Sequence, residues 1–365
     1  MSVNDEDELE EAVALHAQAT RLRAEQRRAE AEELARRALK LFETHAGPED
    51  PDVANVANLL AAIRADADDL AEAEALSRRA VSITSALPSD EEDFQRLHVQ
   101  SLRSLATILR RQGRHDEAAQ LFGEALPLAR TTFGPEDPDT IATENELAIL
   151  YKYTGRFDEA EALYRHVLAA LDAELGPDSA EAGAIFHNLA GLRHSRGQYA
   201  DAEPWARRSV DIHEATLGPD HPDTVADAAQ LGAILDALGR SDEAEVLLRS
   251  AIDRFEELFG PDHYEVAVNA ANLAVLVARR GDGAEAEALY RRALDIKSRV
   301  FGPGNAEVAT VANNFGVLLA DQGRTREAEE LFASALPVLE ATLGPGDPTT
   351  EACAANLADV RLAAG

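Results

Sequence analysis

A Gly-Pro dipeptide returns at Gly134, Gly176, Gly218, Gly260, Gly302 and Gly344, each 42 residues after the last and without a gap. No other feature restricts the fold of this chain so strongly. A single globular core has no reason to repeat itself, whereas a unit too small to bury its own apolar face does so by stacking on copies of itself. Gly47-Pro48 lies 87 residues ahead of Gly134, three more than two full periods. One degenerate unit therefore sits between them, with its insertion at Leu87-Pro-Ser-Asp-Glu-Glu-Asp93.

A second glycine series, Gly113, Gly155, Gly197, Gly239, Gly281 and Gly323, keeps the same spacing and divides each unit into helix A, a short turn, helix B and a Gly-Pro linker. Glycine accepts the left-handed conformation that ends a helix, and proline after it prevents continuation. A second linker proline, at Pro51, Pro138, Pro222 and Pro348, suits the first turn of the next helix, with an acidic neighbour favourable to the helix dipole. Helices of roughly 17 residues, about 25 Å long, fit between these marks. No segment alternates with period two, so no sheet is expected.

In chain order, residues from Asp5 to about Thr44 lack Gly and Pro and predict two helices. Ala29-Glu-Ala-Glu-Glu-Leu-Ala-Arg-Arg-Ala-Leu39 matches Ala71-Glu-Ala-Glu-Ala-Leu-Ser-Arg-Arg-Ala-Val81, 42 residues on, so the array begins near the N-terminus. A helix to about Asp66, a turn at Asp68-Asp69 and a helix to about Ala86 follow, with the register recovered from Gln95. The whole is one domain: an N-terminal unit over 1–46, two units over 47–133, five regular units over 134–343 and a capping segment over 344–365. Pro348 to Leu362 aligns with helix A and lacks a B partner. Its Asp359 and Arg361 stand in columns that are mostly apolar elsewhere, as expected where no further unit packs.

The columns explain why hairpins would stack. Helix A carries Leu60, Leu105, Leu147, Leu189, Leu231, Leu273, Phe315 and Leu357, each followed by a small residue: Ala61, Ala106, Ala148, Ala190, Gly232, Ala274, Gly316 and Ala358. Helix B carries Ala31, Ala73, Ala118, Ala160, Ala202, Ala244, Ala286 and Ala328, with Tyr164, Leu248, Tyr290 and Phe332 four residues further on. Small residues let helix axes approach, and large ones fill the space beside them.

These columns, with the Leu-Ala step of helix A and the Glu-Ala step of helix B, resemble the tetratricopeptide repeat. Linkers such as Leu217-Gly-Pro-Asp-His-Pro-Asp-Thr224, at a 42-residue period, are similar to those of the kinesin light chain subclass. The resemblance runs from about Ala12 to Leu362. It implies an all-α, right-handed superhelical solenoid of about eight antiparallel helix pairs plus a C-terminal capping helix. It also implies that peptides or partner proteins bind in a concave groove lined by the A helices. The chain lacks the long N-terminal heptad coiled coil through which kinesin light chains engage the heavy chain, so a motor role is not implied.

Charge narrows the partner. With 67 acidic against 35 basic side chains the net charge is −32, which repels nucleic acid and anionic lipid over most of the surface. One cysteine, Cys353, permits neither an intramolecular disulfide nor a thiolate zinc site. No basic-then-apolar leader and no apolar run of about 18 residues is present, which predicts a soluble cytoplasmic protein.

If the groove follows the resemblance, one of its columns holds Ser104, Glu146, Asn188, Gln230, Asn272, Asn314 and Asn356, and the adjacent one Asn58, Arg103, Asn145, His187 and Asn313. Amides donate and accept, so they can hold the backbone of an extended peptide, or bond to neighbouring units and fix their twist. Arg103, Arg110, Arg111, Lys152, His187 and His194 add positive charge in the earlier units. Inside so acidic a chain they would favour an acidic segment of a partner, or else pair with the protein's own carboxylates, Glu146 included. Glu146 stands where the carboxylate clamp of co-chaperone relatives would supply an asparagine, which argues against a clamp of that type.

Catalysis finds no support. The chain has no Gly-rich phosphate loop, HExxH or GxSxG. His187, His194 and Asp236 form a conceivable metal set, but two helical turns, about 10 Å, separate the histidines. His221 and His263 belong to the linkers, and Trp205 to an apolar helix-B column. The expectation is a non-catalytic scaffold without cofactor or metal. The alternative is a peptide-responsive sensor acting on a separate partner, which needs two sites and differential binding. Stacking of terminal units leaves self-association open, though the capped C-terminus disfavours open polymers.

Overall fold

The computed structural model describes residues 3–364 apart from Asp68, and among these it contains seventeen α-helices and no strand. They are α1 Val3–Ala24, α2 Arg28–His45, α3 Pro51–Asp66, α4 Leu70–Ser85, α5 Glu92–Arg111, α6 His115–Thr132, α7 Pro138–Tyr153, α8 Phe157–Leu175 and α9 Ala180–Ser195. There follow α10 Tyr199–Thr216, α11 Pro222–Ala237, α12 Ser241–Phe259, α13 Tyr264–Arg279, α14 Gly283–Phe301, α15 Ala306–Asp321, α16 Thr325–Thr342 and α17 Pro348–Ala364. Sequential antiparallel pairs form a solenoid of hairpins, and the unpaired α17 is the expected cap. Odd-numbered helices are the A helices, even-numbered ones the B helices. Two compact units divide the chain, one to Glu174 and one from Leu175.

Local chemistry sets the boundaries. Gly239 ends α11 and Gly218 ends α10 at φ of 78° and 93°, a region that side chains with a Cβ rarely enter. The α1–α2 turn is the exception, with Gln26 at φ 61°. Pro51, Pro138, Pro222 and Pro348 each open an A helix. Asp50 and Asp137 cap α3 and α7, each accepting a backbone N–H at 2.9 Å. His221 and His263 do the same through Nδ1, at 3.2 and 3.3 Å, which accounts for the linker histidines. The turn expected at Asp68-Asp69 falls in part on Asp68, outside the described residues. Asp69 accepts from the Glu72 N–H at 3.1 Å and caps α4. The insertion at 87–93 is absorbed by an α5 that begins at Glu92 and runs 20 residues.

The apolar columns form the core. Leu60, Leu105, Leu147, Leu189, Leu231, Leu273, Phe315 and Leu357 are buried, and the helix-B alanines Ala160 and Ala244 are wholly enclosed. The small column is tightest at Gly316, where an added Cβ would lie 2.6 Å from Phe332 Cε1. Trp205 is partly buried and stacks on Phe186 at 5.5 Å.

An ionic ladder runs over the inner turns. Arg114 holds Glu117 of its own hairpin at 2.6 Å and Glu74 of the preceding one at 2.7 Å. Arg240 repeats this with Glu243 and Glu203, and Arg324 with Glu327 and Glu287. These groups face solvent and are screened by salt, so their chief effect is to favour one register between neighbouring hairpins.

Candidate functional site

Within the first unit the A helices α1, α3, α5 and α7 enclose an open cavity of about 590 Å³. Its charged lining is Arg23, Arg103, Arg111, Asp66 and Glu146, with His16 held neutral by burial, which outweighs the pull of Asp52. Around them stand amides and hydroxyls, among them Asn55, Asn58, Gln100 and Ser104. Arginines outnumber carboxylates here, inside a chain of net charge −32. The cavity is thus less acidic than the chain as a whole.

Several of these groups are already engaged. Arg23 Nε donates to Asp66 at 2.8 Å, and Arg103 Nη1 reaches Asp139 Oδ1 at 3.1 Å and its carbonyl at 3.2 Å. Arg110 Nη2 donates to Glu146 Oε2 at 3.1 Å, and the Thr107 hydroxyl donates to the same oxygen. Asn58 donates to Ser101 Oγ at 2.8 Å and leaves its own Oδ1 buried without a partner. Arg111 is exposed at the cavity edge, and Asn145 is half-buried on α7. Lys152, near the end of α7, is half-buried with its Nζ 5.4 Å from the Tyr153 ring. Burial, then the Arg110 charge, pushes its ammonium below the ordinary lysine range.

In the second unit, His187 of α9 donates from Nδ1 to Asp227 Oδ1 at 2.7 Å, and its Nε2 lies 3.3 Å from Gln230 Nε2. Asp227 is 2% exposed and also holds His213 Nδ1 at 2.7 Å and the Ser209 hydroxyl. The other His213 nitrogen faces the Ala180 carbonyl at 2.8 Å, so both ring nitrogens meet acceptors and the imidazolium is the form that satisfies them. Asn188 and His194 lie half-buried on α9, the latter edge-on to Tyr199 at 5.2 Å. Asn356 donates to Asn313 at 3.1 Å, and Asn313 donates to Asn314 at 3.3 Å. This part of the amide column thus links neighbouring units, while half-buried Asn272 makes no side-chain hydrogen bond among the described residues. Asp236 is taken by Arg279 and Ser241, and His187 by Asp227.

Three buried carboxylates, Asp139, Glu144 and Asp227, escaped the reading of the sequence. Glu144 is wholly buried and accepts from Arg130 and from His166 at 2.6 Å. For Glu144 the available signal was an acid in a column of Leu102, Phe186 and alanines; the Asp227 column, with Ser101, Thr143 and Asn269, gave none. His213 is held above its ordinary pKa, first by its hydrogen bond to Asp227 and against burial. A raised folded value stabilises fully below the unfolded pKa of about 6.5, and the gain is lost as pH rises through the folded value. The stability of wild type against urea should therefore fall between mildly acidic and alkaline pH more than that of His213→Gln.

Stacked hairpins, with a cavity in the first unit walled by alternate helices, define an all-α repeat protein. Models of the tetratricopeptide repeat match residues 98–173, 181–257, 225–299, 265–341 and 307–365, and another such model matches 12–52. The chain belongs to the tetratricopeptide repeat family. Its structural neighbours include BtubC (BKLC) from P. vanneervenii, a kinesin light chain-like protein, at 24% identity and TM-score 0.49 over 68% of this chain and 92% of that one. A Rap protein complexed with competence and sporulation factor aligns at 14% identity and TM-score 0.62, over 86% and 89%. The Rap conjugation gene regulator of plasmid pLS20, in complex with the Phr* peptide, aligns at 17% and 0.59, over 77% and 72%. No curated protein matches the chain. No described helix is long and apolar enough to cross a membrane.

Proposed function

We propose that this chain is a non-catalytic interaction protein that holds an extended, acidic segment of a partner protein in the groove of its first unit. The observation that carries this reading is the arginine-rich cavity among α1, α3, α5 and α7 in an otherwise strongly acidic molecule. Arg103 and Arg111 supply charge, while Asn55, Asn58 and Gln100 supply groups that suit a peptide backbone of any sequence. The peptide-bound Rap regulator shows a protein of this fold with a peptide ligand. Electrostatic recognition of this kind weakens as salt is added.

The test is fluorescence anisotropy with labelled peptides of paired composition, one acidic and one with glutamine for glutamate, at low and moderate salt. Acidic peptides should bind better, and an Arg103→Glu, Arg111→Glu double variant should lose about tenfold or more in affinity. Equal binding of both peptides by both proteins would remove the reading.

A further inference from the structure

Where consecutive B helices meet at a linker, the repeat can close the junction with an arginine. Arg292 of α14 reaches back 36 residues to Glu256 of α12, at 2.6 Å, and 31 residues to the Pro261 carbonyl of the linker, at 3.0 Å. Arg79 of α4 makes the same two contacts, with Glu43 of α2 and with the Pro48 carbonyl at 3.2 Å. A guanidinium suits such a pair, because its planar fork offers one N–H to the carboxylate and another to the carbonyl. Arg208, in the same column, takes the linker acid Asp178 instead. Where the column holds Ser334, the acid's position holds Ser298, so arginine and acid are lost together.

The junction of α10 and α12 departs from this pattern. Its arginine position holds Ser250, yet Glu214 and Pro219 keep their places 36 and 31 residues ahead, and all three line a cavity of about 240 Å³. Among the described residues the Glu214 side chain has no hydrogen-bond or ion-pair partner, and the Pro219 carbonyl accepts nothing. Val210, Val225, Ala228 and Leu247 give the cavity an apolar wall along which a methylene stem can lie. Arg254, also in the lining, is already held by Asp220 at 3.0 Å and Glu257 at 3.1 Å. We propose that this cavity is a guanidinium-binding site, which takes an arginine side chain of a partner protein in the place that Arg79 and Arg292 fill at their own junctions. Lysine fits it less well, because a point charge does not serve carboxylate and carbonyl together as the fork does. The net charge of −32 draws basic segments toward the chain, and the cavity selects arginine among them. This site and the groove are independent: one lies in the second unit and takes a cation, the other lies in the first and takes an acidic segment.

The test is saturation-transfer NMR on the full chain at low salt, with Gly/Ser dodecapeptides blocked at both ends and carrying a central arginine, lysine or glutamine. The arginine peptide should bind, the lysine peptide several-fold more weakly and the glutamine peptide not measurably. Glu214→Gln should weaken the arginine peptide about tenfold. Ser250→Arg should abolish its binding by supplying the missing side chain from within, while leaving the thermal midpoint equal or higher, which separates a filled site from a damaged one. Unchanged binding in either variant, equal retention of the arginine and lysine peptides, or no saturable binding by wild type overturns the site.

Discussion

Asp227→Ala is expected to lower the free energy of unfolding by about 3–5 kcal/mol, the range for removing one partner of a buried ion pair. The carboxylate is 2% exposed and takes hydrogen bonds from His187, Ser209 and His213. Burial alone would raise its pKa, yet the bonds from His187 and His213 hold it below the ordinary carboxylate range. Its loss leaves His213 charged and enclosed, or neutral with Nε2–H on the Ala180 carbonyl and Nδ1 without its partner. Gly183 is part of the same arrangement, because a Cβ there would come within 2.6 Å of His213 Nε2. Urea titration followed by circular dichroism measures the effect. A loss below about 1 kcal/mol would show that the cluster relaxes or rehydrates without it.

Gly316→Ala is expected to destabilise by about 1–3 kcal/mol, although alanine is the better helix former by nearly 1 kcal/mol. The opposing term is steric: the new methyl would meet Phe332 at 2.6, 2.9 and 3.0 Å, and this ring is 1% exposed with no room to retreat. At the equivalent Gly232 the neighbour is Leu248, 3.2 Å from the added carbon, which needs only a small shift. A Phe332→Leu change should therefore recover much of the loss in the double variant, and a double-mutant cycle would show coupling of the two sites. Strict additivity would refute the steric account.

The fold was legible because its determinants are local and repeated. Glycine and proline at a fixed interval mark the boundaries of the regular units from Gly113 on, and Leu60 or Ala160 is buried for the same reason in each unit where its column recurs. The insertion displaced the register by three residues, and α5 simply begins earlier to absorb it. The groove columns were legible as positions but not as partnerships. Whether Arg103 meets a ligand or Asp139 depends on contacts 36 residues apart, and column membership does not give side-chain direction. His213 and Gly183 break their columns together, one large and polar, the other small. Such paired departures are visible in the sequence once the repeat is used as its own reference, and they point to the buried polar clusters better than composition does.

The inner-turn ladder carries a direction. Arg114, Arg240 and Arg324 each reach back to a glutamate of the hairpin before, never forward, while that hairpin offers its acid without needing anything in return from the next. The two halves of each tie lie on different kinds of block: Glu203 belongs to a hairpin with Gln198 at the arginine's position, and Glu287 to one with Asp282. The pair of adjacent blocks is therefore the smallest stretch that carries the whole tie, so an array of this kind lengthens with its ion pairs intact by copying two blocks together.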